Sequence, residues 1–204
     1  MTRDGRFLAA VVKEFQRKHR CHTLILYGSQ ARGEATRASD YDLLGVRDKG
    51  EVVRDARLWR GVYLDFFAYP ERKAKAEQLM HVRGGKVLRQ KGGFGDRLLA
   101  RIEKAYAAGP KPLPPDELQA RKVWARKMLA RARVGDAEGN YRRAWLLTAL
   151  LENYFAGRGR WYEGSKASLR WLRENDPKAS ALFEKALKPG ARLSTIAALV
   201  ERIG

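Results

Sequence analysis

"LILYGSQARGEATRASDYDLLGV", residues 24–46, is the stretch on which the reading of this chain turns. An apolar run ends at Gly28 and Ser29, a polar arginine-bearing segment follows, and Asp40 and Asp42 open a second apolar run. Short apolar runs bounded by turn residues predict two strands, over residues 23–27 and 40–46. Between them, residues 29–34 read as the first turns of a helix with Ser29 at its cap. Side chains alternate along a strand, so Asp40 and Asp42 share one face and Tyr41 takes the other. Two such carboxylates repel unless a cation lies between them. Hard oxygen ligands suit Mg²⁺, which takes its remaining ligands from water and phosphate. At the other end of the stretch, Gly28 lets backbone amides approach an anion, and a helix start offers unpaired N–H groups to phosphate. Arg32, one turn in, faces either that anion or solvent.

A third acid stands in "VYLDFFAY", residues 62–69, where Tyr63, Asp65, Phe67 and Tyr69 alternate with Val62, Leu64, Phe66 and Ala68. Asp65 is the lone charge in an apolar and aromatic strand, a costly position without a partner. A neighbouring strand carrying Asp40, Asp42 and a bound metal would resolve that cost.

Outward from these strands, the spacing of Phe7, Leu8, Val11, Val12 and Phe15 predicts a helix over 4–19. Further strands are predicted at 52–59 and 62–69, then helices at 71–82 and 96–108, separated by the glycine-rich "RGGKVLRQKGGFGD". The segment "GPKPLPP", residues 109–115, holds four prolines and cannot continue a helix. Beyond it the pattern is helical throughout, at about 116–134, 139–157, 165–174, 177–188 and 194–203. Two domains are expected, 1–108 and 116–204, joined by a linker at 109–115.

Composition narrows the partners. Lys and Arg number 42 against 23 acids, a net charge of +19. The surplus runs along both halves, with 24 basic and 13 acidic residues up to 115, and 18 and 10 after it. Such a balance favours polyanions: nucleotides, nucleic acid or acidic proteins. No run is long enough for a membrane span, the N-terminus lacks a signal peptide's apolar core, and a lone Cys21 excludes an internal disulfide. The expected compartment is the cytoplasm, and a monomer or homodimer is expected. The three histidines, His19, His22 and His81, read as ordinary polar residues away from the aspartates.

Taken together, the strand ending at Gly28-Ser29, Arg32-Gly33, the Asp40-Tyr41-Asp42 triplet and the later strand acid Asp65 resemble the nucleotidyltransferase superfamily that includes DNA polymerase beta. The small bacterial members, minimal nucleotidyltransferases and aminoglycoside adenylyltransferases, are the most similar in style. The resemblance covers about residues 22–69. It implies an α+β fold, a mixed sheet with helices followed by an all-α helical bundle. It also implies that Gly28 and Ser29 bind a triphosphate, that Asp40, Asp42 and Asp65 hold two Mg²⁺ ions, and that Asp65 aids deprotonation of the acceptor.

The helical half offers weaker candidates. Residues 141–155 are apolar on nearly every side and predict the buried centre of a bundle. Glu152 shares a face with Trp145 and Thr148; it pairs with Arg142 or Arg143, or serves the acceptor. In "GRGRWYEGSKASLRWL", residues 157–172, Ser165 is expected to cap a helix, while Arg158, Arg160 and above all Lys166 are candidates for nucleotide phosphates.

The expected activity is transfer of a nucleoside monophosphate, AMP from ATP or its equivalent from another NTP, to a hydroxyl of a small molecule or protein. Addition to an RNA 3′ end is the alternative. A non-catalytic nucleotide- or RNA-binding regulator is the third reading, weakened by three intact carboxylates. Polycationic aminoglycosides fit poorly, because the helical half has no acidic cluster.

Overall fold

The computed structural model describes residues 3–36 and 39–203; residues 37 and 38, inside the stretch that opens the sequence reading, lie outside it. Contacts divide the chain into two compact units, Met1–Ala108 and Gly109–Gly204.

In the first unit, helix α1 (Arg3–His19) precedes strand β1 (Thr23–Tyr27) and the short helix α2 (Gly28–Arg32). Strands β2 (Tyr41–Arg47), β3 (Val53–Trp59) and β4 (Val62–Pro70) follow, then three 3₁₀ turns, strand β5 (Lys86–Arg89) and helix α3 (Phe94–Ala107). The sheet order is β3-β4-β2-β1-β5. Strands β2 and β4 run parallel, and the other neighbours are antiparallel.

Alternation along the strands feeds two cores. Leu24, Leu26, Leu43, Leu64 and Phe66 pack with Val11 and Phe15 of α1. Ile25, Tyr27, Leu44 and Val46 face the opposite way, against Leu98 and Ile102 of α3 and Leu79 and Val82 of the turns. Sandwiched in this way the sheet is apolar on both faces, and its middle strands read as nearly continuous hydrophobic runs.

In the first unit, four local expectations need correction. Strand β2 begins at Tyr41, so Asp40 stands just before it, exposed. Helix α2 starts at Gly28 and not after Ser29: Tyr27 occupies the cap position with no side-chain bond, because Gly28 at φ +70° turns the chain out of the strand abruptly. The segment 71–82 forms the turns Glu71–Lys73, Ala76–Gln78 and Met80–Val82 instead of one helix. These tight turns bury Ala74, Ala76, Leu79 and Val82 against the sheet. Finally, the glycine-rich separator contains a strand, β5. A β-carbon at Gly85 would lie 2.8 Å from Ile25 Cγ2 and 3.0 Å from Leu26 O, so glycine is what lets the chain close onto β1.

The second unit is all helical: α4 (Pro115–Ala132), α5 (Ala137–Ala156), α6 (Gly164–Asn175), α7 (Pro177–Ala186) and α8 (Leu193–Ile203). Its core joins Leu129, Leu146, Leu150, Tyr154, Phe155, Leu172, Phe183, Ile196 and Leu199. Helix α5 is buried on one side only. Tyr141 and Trp145 are exposed, and Trp145 rests edge-on against Trp124, contrary to the all-round burial its composition suggests. Ser165 lies inside α6, whose cap position is taken by Glu163, with Gly164 (φ +80°) turning the chain into the helix.

Candidate active site

Strand register assembles the site. Tyr27 of β1 is opposite Asp42 of β2, and Asp42 is opposite Asp65 of β4. The three side chains therefore form a row across three adjacent strands, on the face that α3 covers. Asp40 enters from the segment before β2, close enough that its charge raises the pKa of Asp42.

Gly28 ends β1 against this row. A β-carbon there would sit 2.1 Å from Asp42 Oδ2 and 3.0 Å from its Cγ. With φ at +70° as well, a side chain at position 28 would both strain the backbone and displace the Asp42 carboxylate. The backbone and the carboxylate consequently meet with nothing between them. Ser29, half-buried, accepts through its carbonyl from the N–H groups of Gly33 and Glu34, which closes the α2 turn. Arg32, exposed, pairs with Glu34 at 3.2 Å and also lowers the pKa of Asp42 slightly against the stronger opposing effects. Gln30 donates to Ser39 O at 3.3 Å, tying α2 to the approach to Asp40.

Burial and two neighbouring acids dominate the electrostatics. Asp42 is pushed up to about 6, first by desolvation and then by the charges of Asp40 and Asp65. Tyr27, buried beside the same carboxylates, is raised for the same reasons. Asp65 is held differently. Arg54, on β3, donates from Nε to Oδ1 and from a terminal nitrogen to Oδ2, both at 2.9 Å, in a two-pronged pair. Its guanidinium also lies over the Phe67 ring at 5.3 Å. Nothing in the sequence pattern of 53–59 marks Arg54, because the pairing depends on β3 lying antiparallel to β4 with Arg54 opposite Phe67, two residues from Asp65. His81 also belongs near the row: its ring is edge-on to Tyr27 at 5.3 Å, and crowding by neighbouring atoms lowers its pKa.

The carboxylates are nonetheless not drawn into a tight cluster. Among the described residues, the one group of three whose ligand atoms all lie within 4.8 Å is His22, Asp48 and Glu71, at the opposite end of the sheet.

Lys166 and Glu152 lie in the second unit, both exposed, Lys166 in the first turn of α6 and Glu152 on α5. The arginines expected to pair with Glu152 go elsewhere. Arg142 bonds Glu138 at 3.2 Å, one helical turn back, and Arg143 donates to the carbonyl of Ala191. Glu152 instead lies near Tyr162, whose pKa is raised first by burial and then by the Glu152 charge. Arg158 and Arg160 stack on Tyr154 and Trp171 at 3.8 and 4.3 Å.

Residues 8–92 match the family model described as a nucleotidyltransferase domain. No curated protein is significantly similar in sequence. A solved structure of a nucleotidyltransferase-like protein from Exiguobacterium sibiricum 255-15 is 14% identical, covers 97% of this chain and 74% of its own, and superposes with a TM-score of 0.49. The matched residues contain β1, α2, β2 and β4 with Gly28, Asp40, Asp42 and Asp65, so the similarity to a nucleotidyltransferase domain falls on the first unit and takes in the aspartates.

Proposed function

We propose that the protein transfers a nucleoside monophosphate, AMP from ATP, to a hydroxyl group of a small molecule or protein in a Mg²⁺-dependent reaction that releases pyrophosphate. One observation carries the reading: Asp42 lies between Gly28, whose backbone meets its Oδ2, and Asp65, its partner on the adjacent strand β4. The donor set fits a hard dication. Asp42, raised to about 6 by burial and two like charges, is a carboxylate whose negative charge is under-compensated, and a cation would relieve it. Asp40, Asp42 and Asp65 would hold Mg²⁺, which when bound neutralises phosphate charge and makes the acceptor hydroxyl more acidic.

The remaining work falls to the chain itself. The bare backbone at Gly28 and the Ser29 hydroxyl would hold the triphosphate, with Arg32 beside them. In-line attack by the acceptor oxygen forms its bond to the α-phosphorus as the bond to the bridging oxygen breaks, and pyrophosphate leaves. Such a reaction depends on alignment and charge more than on covalent catalysis. Asp65 is the carboxylate that would meet the acceptor hydroxyl. Held through both oxygens by Arg54, it aligns the acceptor hydroxyl more than it drives deprotonation.

The test is incubation with α-labelled NTPs and Mg²⁺, offering in turn cell metabolites, protein extract and RNA. Label should enter an acceptor in a metabolite or protein fraction and be lost in Asp40→Ala with Asp42→Ala. Label in no fraction, or label surviving that double substitution, overturns the reading. The +19 charge favours a second reading, RNA as acceptor. In that case label enters RNA, and transfer weakens steeply with salt.

A further inference from the structure

The strands that carry the aspartate row bring different residues together at their other end. His22 precedes β1, Asp48 follows β2, and Glu71 follows β4. Since β1 is antiparallel to β2 and β2 is parallel to β4, these three positions must converge on one edge. His22 Nε2 is 3.0 Å from Glu71 Oε1 and 3.8 Å from Asp48 Oδ1, and all the ligand atoms lie within 4.8 Å of one another.

The state of the histidine points to a ligand. Its side chain is only 10% exposed, yet the buried Nε2 makes no hydrogen bond. Glu71 Oε1 is near enough, but it lies off the direction that a ring N–H requires. Nδ1 is already engaged with Thr23 Oγ1 at 2.9 Å, and the Phe94 ring meets the imidazole edge-on at 5.4 Å. The ring is thus fixed by a hydroxyl and an aromatic wall, with its other nitrogen beside two carboxylates. A cation on the ring's own axis can take oxygens that approach from beside it, where a proton cannot. Fixing of the far ring nitrogen is also how metal-binding histidines are oriented.

Neighbouring cations do not occupy the place. Arg72 and Lys73 both turn to Glu51, and Arg47 donates to the backbone of Glu51. Lys91 reaches only to 4.0 Å of Asp48.

We infer that His22, Asp48 and Glu71 form a second metal site, for a borderline transition dication of the zinc class. One imidazole with two carboxylates suits such an ion, whereas Mg²⁺ and Ca²⁺ take all-oxygen sets. Bound there, it joins the ends of three strands. The site is separate from the aspartate row: His22 and Gly28 are six residues apart along extended chain, roughly 20 Å at about 3.3 Å per residue.

The test uses the full chain without a histidine tag, with Co²⁺ as a coloured probe, Zn²⁺ as competitor, and thermal unfolding beside them. Co²⁺ should develop visible absorption to a single equivalent, Zn²⁺ should bleach it, and either ion should raise the Tm. The same signal should persist in Asp40→Asn with Asp42→Asn, which removes two of the three carboxylates at the other end. It should vanish in His22→Gln and weaken roughly tenfold or more in Asp48→Asn with Glu71→Gln. The carboxylate variant leaves the buried ring in place and so decides the matter if His22→Gln does not fold. Absorption that fails to appear, that survives both the histidine and the carboxylate substitutions, or that disappears with the aspartate row overturns the inference.

Discussion

The two ends of strands β1, β2 and β4 put acids to contrasting uses. At one end Asp42 is half-buried between Asp40 and Asp65, and its pKa climbs to about 6, first through burial and then through the charges of the two neighbouring acids, which Arg32 only partly offsets. At the other, Asp48 and Glu71 have 68% and 46% of their side chains exposed and share a histidine. The first end stores unfavourable electrostatics that a bound cation would relieve. The second can rest in water without them. A strained arrangement at one end of an otherwise well-packed sheet is the pattern of a site kept for chemistry at the expense of stability.

Substituting Asp42 tests this contrast most severely. Asp42→Asn should lower transfer roughly 10³-fold, since metal-assisted stabilisation of several kcal/mol is lost. The same change should stabilise the metal-free protein. The folded pKa of Asp42 lies above the ordinary 3.8, so the folded state holds more protons between that value and about 6. Its stability therefore falls as pH rises through this window, and asparagine removes the loss. Asp42 is partly open to solvent, so the gain at pH 7 is modest, about 1 kcal/mol after screening. Chemical denaturation with and without Mg²⁺ measures it. A destabilised Asp42→Asn variant would erase the contrast.

Gly28→Ala comes next. The new methyl group would meet Asp42 Oδ2, the tip of a side chain that can rotate away, and the backbone would be strained at φ +70°. The fold should survive with a loss of about 1 kcal/mol, while displacing that carboxylate costs roughly 10²-fold in kcat/KM. Arg54→Ala should cost less, roughly tenfold in kcat with KM for the nucleotide little changed, because Asp65 keeps its place in the strand but loses its orientation. Arg54→Lys should not restore it, since an ammonium cannot grip both oxygens.

How far these residues could be read from the chain follows from the range of the interactions. Alternation within a strand is local, so the shared face of Asp65, Phe67 and Tyr69 and the abrupt turn at Gly28 were visible in the sequence. Arg54 was not, because its role depends on the register of β3 against β4. Strand β5 hid behind the glycines that allow it to approach β1, and 71–82 had helical spacing but folds as turns that bury Leu79 and Val82. His22 read as an ordinary polar residue because Asp48 and Glu71 join it only once antiparallel and parallel pairings are combined. In the helical half, Trp145 looked like core because apolar composition says nothing about which side of a helix is covered.

A milder effect separates the two ends by pH. Mg²⁺ requires Asp42 without its proton, so affinity measured calorimetrically should rise as pH increases through about 6 and then level off. The dependence should vanish in Asp42→Asn, whatever affinity remains.

The smallest effect is expected from Asp48→Asn in the metal-free protein. Asp48 is exposed, its approach to His22 Nε2 is 3.8 Å, and the Lys91 ammonium opposite it at 4.0 Å is itself 73% exposed. Exposed pairs of this kind contribute little, so stability should change by less than about 0.5 kcal/mol. Asp42→Asn and Asp48→Asn remove the same charge from opposite ends of the same strand. Denaturation midpoints that move upward for the first and stay still for the second would locate the stored repulsion at one end of β2. Equal shifts would mean that it reflects only the overall charge of the chain. Because the chain carries +19, removing any acid should then destabilise it, and the two variants would move downward together.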